Sequence, residues 1–363
     1  MTCVRSLRGR RAGAAVLVAT LVALAVTAAV VGRADSEAVA APSEARAYAS
    51  SLAARVTPLE ASRLQQAAVD WRGGPITTST GETVTVLVST TFAVEAVTPE
   101  SWAEFLVQRV HGSELQELTV RVAPLAEVQE ICGAQALGCY GRDTAVTLGE
   151  TLPDGTTGED VLRHEYGHHI ALYRSNAPWA AIDWGPKQWA SAANVCAKVS
   201  RGEAFPGDEG ENYASNPGEV WAEAYRLMDE RKAGITTGTW QIVAPSFYPT
   251  EAMLQAAERD VLQPWTAGQT TVSRRAVAKG RIWWVPVSTP LDGNYSIAVT
   301  VPKGGQHEIV LTASNRRTVV KRAARTGPRT RRLSGTVCGQ RALFVKVTQK
   351  GSRGPVTVTV SKP

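Results

Sequence analysis

Residues 161–170 read Val-Leu-Arg-His-Glu-Tyr-Gly-His-His-Ile, and within them His164-Glu165-x-x-His168 constrains the chain more than any other stretch. On a helix, residues four apart lie about one turn up and on the same face. His164 and His168 then aim two imidazoles at one point, as ligands of a single metal ion must. Glu165 follows the first histidine and reaches the side where a water would sit. Zinc lowers the pKa of such a water to about 7, and a carboxylate can take its proton. The pattern predicts a helix built for water-activating hydrolysis. The chain has five histidines, and three of them (His164, His168, His169) fall within this stretch. Val161, Leu162, Ile170 and Leu172 are apolar flanks that suit a buried helix. The competing reading is a packed helix that carries two histidines and no metal. His169 points roughly 100° away from His168 and reads as a helix-surface residue or a support for the site.

A zinc site of this kind needs a third protein ligand. One subclass places a third histidine six residues after the second, with a glycine between; here those positions hold Arg174 and Ala171. The remaining histidines, His111 and His307, lie far away in sequence. A carboxylate is left, and the richest source is 212–230. Asn216 can cap a helix there and Pro217 suits its first position. Glu219 and Glu223 then share one face, so that one can bind the metal while the other accepts a proton from a ligating imidazole. Asn216-x-x-Glu219 is also a capping box, in which Glu219 would only close the helix start and Glu223 would take the metal. Asp183 is a third carboxylate candidate.

His164-Glu165-x-x-His168 followed by Glu219-x-x-Ala222-Glu223-Ala224-Tyr225-Arg226 resembles the gluzincin metallopeptidases. The second segment is most similar to the Glu-x-x-Ala-Glu-Ala-aromatic-Arg helix of the anthrax lethal factor-like branch. The likeness is specific over these two segments and weaker across 80–265. It implies a zincin-like α+β domain and a zinc ion held by His164, His168 and Glu219. It further implies Glu165 as the catalytic base, Glu223 as a support and Tyr213 as the residue that steadies the oxyanion.

The first forty residues read as a targeting segment. Arg5, Arg8, Arg10 and Arg11 precede an apolar run from Ala12 to Val31, and Ala38-Val39-Ala40 offers a small-residue cleavage site. The run is also long enough to span a bilayer. The expectation is a signal peptide or an N-terminal anchor, with the rest secreted or held at the outer face of the cytoplasmic membrane. Export permits disulfides. Cys132 and Cys139 bracket a short loop and are expected to pair, stabilising the fold by roughly 2–3 kcal/mol on a loop-entropy argument. Cys196 and Cys338 either tie two domains together or stay reduced.

Patterning predicts one or two helices over 43–72, strands at Thr83–Ser89, Leu118–Val122 and Thr144–Leu148, and a helix over Pro99–Val110. Thr144–Leu148 is the expected edge strand, along which an extended peptide could lie. Helices follow near 185–200, 217–233 and 250–263. From about Gly268 the helical period stops. Alternating runs at 281–287, 295–301, 307–312, 341–348 and 356–360 predict an all-β sandwich, similar in pattern to modules that follow secreted bacterial peptidases. The expected division is a targeting segment (1–40), a helical segment (41–80), an α+β catalytic domain (81–266) and a basic β-sandwich (267–363).

Charge divides the chain in the same way. Residues 41–266 hold 16 Lys+Arg and 29 Asp+Glu, a net of −13, whereas 267–363 hold 18 and 2, a net of +16. Such a field attracts polyanions, here an envelope polymer or anionic lipid, with no nucleic acid expected; otherwise the basic module docks on its acidic neighbour. Trp179, Trp184, Trp189 and Trp221 lie near the motif in sequence and either pack the core or line a cleft. The sequence thus predicts an exported zinc metallopeptidase acting on a peptide or protein substrate. The alternatives are a zinc amidase acting on peptidoglycan and an envelope-binding protein with a vestigial zincin domain.

Overall fold

The structure, a computed structural model, describes residues 68–236, 242–303, 307–323, 329–350 and 354–363. The targeting segment, most of the helical stretch at 43–72 and part of the basic tract lie outside these residues.

Five strands form the first sheet: β1 (Trp71–Thr77), β2 (Thr83–Ser89), β3 (Thr119–Ala123), β4 (Gly138–Gly141) and β5 (Thr144–Leu148), in the order β1-β2-β3-β5-β4. The central pairs β2–β3 and β3–β5 are parallel, while β1 and β4 run antiparallel on the two edges. Parallel neighbours need a crossover. Helix α1 (Pro99–Val107) supplies it between β2 and β3, and α2 (Leu125–Cys132) lies between β3 and β4. Two expectations are corrected here. The described end of the 41–80 segment holds a strand, β1, rather than helix. The edge next to the motif helix is β4 and not Thr144–Leu148, which is enclosed between β3 and β4.

Among the described residues six helices follow: α3 (Gly158–Leu172), α4 (Ala181–Trp184), α5 (Lys187–Ala192), α6 (Val195–Ser200), α7 (Pro217–Lys232) and α8 (Glu251–Leu262). One face of the sheet, with Val84, Val86, Val88 and Val120, joins Leu162, Ile170, Trp221, Tyr225 and Leu254 in a single core. Each fully buried aliphatic side chain there contributes about 1.5–3 kcal/mol. A smaller cluster around Val128, Ile131, Val146 and Val161 is closed by the Cys132–Cys139 disulfide, the pairing expected from the short loop.

The C-terminal part is a β-sandwich of β6 (Gln269–Val277), β7 (Ile282–Ser288), β8 (Gly293–Thr300), β9 (His307–Ala313), β10 (Val319–Arg322), β11 (Thr330–Val337), β12 (Ala342–Gln349) and β13 (Gly354–Lys362). Its sheets run β10-β9-β12-β7 and β11-β8-β13-β6 and share one valine-rich core. The sandwich is fastened to the helices. The Lys187 ammonium is fully buried and donates to the carbonyl oxygens of Ala177 (2.6 Å) and Asp292 (2.9 Å). Burial lowers its pKa from 10.5 to about 8, against the pull of Asp292 and Asp260. Arg341 donates to Ser191 O and to the Asp292 carboxylate. Cys196 and Cys338 close the joint covalently. No helix among the described residues is long and apolar enough to cross a membrane.

Candidate metal centre

Helix α3 begins at a capping box. Thr157 accepts from Asp160 N at 3.1 Å, and Asp160 accepts from Thr157 N at 3.1 Å. Helix α7 begins differently: Asn216 Oδ1 accepts from Gly218 N at 3.1 Å, Pro217 follows, and the Asn216 N–H donates to Tyr213 O. Glu219 therefore takes no part in a capping box, and its carboxylate is free to turn inward.

The two helices meet at Gly167 and Ala222. A β-carbon added to Gly167 would lie 2.7 Å from Ala222 Cα, so only glycine permits this approach. Trp221 Nε1 donates to Gly167 O at 2.7 Å across the same contact. The crossing brings the pair His164/His168 face to face with the pair Glu219/Glu223.

Three donor atoms converge there. His164 Nε2 lies 3.1 Å from Glu219 Oε2, His168 Nε2 lies 3.3 Å from the same oxygen, and the two Nε2 atoms are 3.2 Å apart. Four donors set tetrahedrally at about 2.0–2.1 Å from a zinc ion are separated by about 3.3 Å. The triangle already has that edge, and the donor set of two imidazoles and a carboxylate suits zinc. Among the described residues it is the one group of this kind. His111 lies near Glu82 and His307 is bound to Gln349 in the sandwich.

The electrostatics express a demand for positive charge at this point. Burial alone would push His164 down, but its hydrogen bonds to Glu219 and Glu223 and the charges of Glu219 and Glu165 raise it from 6.5 to about 9. Burial pushes Glu219 up; His168 and His164 outweigh it and hold the carboxyl well below its ordinary range. Glu223 stands behind the triangle. Its Oε2 faces His164 Nδ1 at 3.8 Å, and both its oxygens accept from Arg226, at 2.9 and 2.7 Å. Burial opposes ionisation of Glu223, and the Arg226 charge prevails, so that its pKa is lowered.

Glu165 is fully buried, and neither of its carboxylate oxygens has a hydrogen-bond partner among the described residues. Burial raises its pKa to about 8; His164 counteracts this, while Glu219 and Glu209 add to it. Gly138 on β4 leaves room for it, since a β-carbon there would sit 2.9 Å from Glu165 Oε1. Tyr213 is buried, and its hydroxyl donates to Glu219 Oε2. Burial first, and the Glu219 charge second, hold its pKa well above that of an ordinary phenol, so it stays a donor.

A cavity of about 390 Å³ opens onto Glu165, His168 and Glu219. Its walls include Tyr140 and Gly141 from β4 together with Asp183 and Glu209. Asp183 thus lines the cavity but stands outside the donor triangle. The four tryptophans do not line it. Trp189 and Trp221 are core residues, and Trp179 stacks on Trp184 at 4.7 Å.

Sequence reasoning missed the role of Tyr140 and the geometry of His169. His169 Nε2 lies 2.7 Å from Glu114 O, which can only accept. Nε2 therefore carries the proton, and Nδ1 accepts from the Tyr140 hydroxyl at 3.0 Å. Burial, the largest influence, lowers the His169 pKa and keeps the ring neutral. The Tyr140 ring stacks on that of His168 at 6.3 Å. His169 is thus fully buried and ties the edge strand to the motif helix rather than sitting on the helix surface.

No family model matches the chain, and no curated protein does. Among solved structures, the pre-peptidase C-terminal domain of a collagenase from Bacillus anthracis is 13% identical over 25% of this chain and 88% of its own, with a TM-score of 0.21. The g-type lysozyme inhibitor PliG of Aeromonas hydrophila is 10% identical over 26% and 85%, with a TM-score of 0.18. A Bacillus endospore appendage protein is 19% identical over 28% and 96%, with a TM-score of 0.17. Likenesses this slight carry no argument about function.

Proposed function

We propose that the chain is an exported, zinc-dependent metallopeptidase of the zincin type, with Glu165 as general base. The observation that carries this reading is the convergence of His164, His168 and Glu219 beside a buried carboxylate that has no hydrogen-bond partner among the described residues. A zinc ion held by these three side chains would polarise the attacking water and the scissile carbonyl. Glu165, at the cavity wall, would take a proton from that water and deliver it to the leaving amine. Tyr213 stays protonated; its hydroxyl, bonded to Glu219 Oε2, would have to turn from that oxygen to donate to the developing oxyanion. Glu223, held by Arg226, orients the His164 ring through Nδ1.

The edge strand supports a peptide as substrate. Among the described residues β4 ends the sheet, which would leave one side of its backbone to pair with an extended chain, and Tyr140 and Gly141 bring that strand to the cavity wall. A peptidoglycan amidase would use the same donors but has no need of a strand edge. A vestigial domain in an envelope-binding protein is disfavoured by Glu165, because a buried carboxylate without a partner is costly unless chemistry uses it.

The test is hydrolysis of a fluorogenic peptide pool and of muropeptides by zinc-reconstituted protein. Peptide cleavage that a chelator abolishes is expected. Glu165→Gln should keep its zinc and lose at least about 10²-fold in turnover. Near-normal turnover in that variant, or cleavage of muropeptides alone, overturns the reading.

A further inference from the structure

We propose that the outer face of the sheet β10-β9-β12-β7 binds an anionic polysaccharide. This goes beyond the peptidase reading and does not depend on it. Alternation along the strands turns Val285, Leu343, Val345 and Val347 into the sandwich core and leaves Trp284, Phe344 and Lys346 outside it. Lys346 pairs in register with Trp284, and the Trp284 and Phe344 rings lie 6.3 Å apart at 87°. The Arg316 guanidinium sits 4.3 Å above the Phe344 ring and 5.7 Å from that of Trp284; the Lys346 ammonium is 5.9 Å from Trp284.

The turn that presents Arg316 is specifically made. Arg316 has φ +58°, a region that disfavours side chains, in a position where glycine would be at ease. Asn315 Oδ1 holds the turn by accepting from the backbone N–H of Arg317 and Thr318, both at 2.9 Å. Arg317, Arg322 and Lys350 are exposed in the same region. The module has two acids. Asp292 is buried in the joint with the helices, and Glu308 is engaged by Arg322 at 3.1 Å and Lys350 at 4.0 Å. The described hydrogen bonds across the joint use Arg341 and Asp292, so the positive face is not spent on the acidic domain.

Phe344 is capped by Arg316, and the Trp284 ring beside it, set among cations, fits a sugar whose apolar ring face stacks on it and whose acid groups meet the cations. A membrane is a poorer fit. The exposed apolar residues Ile282 on β7 and Val319 and Val320 on β10 lie at opposite edges of the sheet and make no continuous patch. Nucleic acid fits less well too, because rings at right angles do not form the parallel platforms on which successive bases stack.

The test uses the full chain, with polygalacturonate and dextran sulfate as probes, neutral dextran as control, and phosphatidylglycerol vesicles and single-stranded DNA as competitors for the assignment. Calorimetry should show binding to at least one anionic polysaccharide, weakened about tenfold or more from low to high salt, and none to dextran. Trp284→Ala, which leaves the charge unchanged, should lower affinity about tenfold. The double variant Arg316→Gln/Lys346→Gln, made on the surface and independent of any loss of folding in Trp284→Ala, should flatten the salt dependence. No binding to either polysaccharide at low salt overturns the proposal. So does wild-type affinity in both variants, or tighter binding to vesicles or DNA than to the polysaccharides.

Discussion

Gly167 and Ala222 hold equivalent places in two facing helices. Each follows a prospective ligand by three residues (His164 and Glu219) and precedes a second functional side chain by one (His168 and Glu223). Their contact, with 2.7 Å between a would-be Gly167 β-carbon and Ala222 Cα, is the pivot about which the donor triangle is assembled.

Gly167→Ala tests that pivot. The added methyl meets backbone and not a flexible side chain, so the helices must separate. Destabilisation of about 1–3 kcal/mol is expected, together with weaker zinc binding, because His164 and Glu219 sit on opposite sides of the widened contact. Thermal melting and metal titration check both. A variant with wild-type values for each would show that the crossing does not set the site.

Metal content is the most direct measurement. Purified protein reconstituted with zinc should hold close to one equivalent by elemental analysis, and His168→Ala should hold none. A zinc-free wild type after reconstitution would remove the basis of the hydrolytic reading.

Glu219 and Glu223 should behave differently. Glu219→Ala should abolish tight zinc binding. Glu223→Gln, which keeps volume and an acceptor for Arg226, should weaken it only about 10–100-fold. Replacing Glu223 with alanine is less informative, since it strips the buried Arg226 of the Glu223 carboxylate. The reverse order of effects would make Glu223 the ligand.

The benefit of zinc should grow with pH. In the metal-free protein, hydrogen bonds to Glu219 and Glu223 overcome burial and raise His164 from 6.5 to about 9, and burial raises Glu165 from 4.5 to about 8. Both folded values exceed the unfolded ones. The stability contributed by these protons is complete below the unfolded pKa and is lost as pH rises through the folded value. A bound cation replaces the His164 proton. The rise in melting temperature on adding zinc should therefore be larger near pH 9 than near pH 6. Scanning fluorimetry with zinc or chelator measures it; an increment that shrinks with pH contradicts the assignment.

Much of this arrangement was legible because it is local. A four-residue spacing on α3 and again on α7 puts each pair on one helix face, whatever the tertiary fold. The Cys132–Cys139 pairing was legible for the same reason. What sequence could not give was set by distant contacts. β4 is Gly-Cys-Tyr-Gly, too short and glycine-rich to show alternation, so the edge was assigned to its valine-containing neighbour Thr144–Leu148. β1 contains Gly73-Gly74-Pro75, a poor strand on propensity that exists because β2 pairs along all of it. β6 and β11 carry Arg274-Arg275 and Arg331-Arg332, which mask their period. The link from Tyr140 to His169 joins residues 29 apart and left no local signal. The partner of Cys196, 142 residues away, was likewise undetermined.

The Cys196–Cys338 bond turns part of the chain into a closed ring. That ring contains α7, α8, the exposed segment at 266–268 and the sandwich as far as β11. A protease that cuts between α8 and β6 would sever the polypeptide without dividing the molecule. Electrophoresis without reductant would show one species of full mass, and with reductant it would show two. The larger piece would keep every residue of the donor triangle, and the smaller would carry nearly all of the positive face.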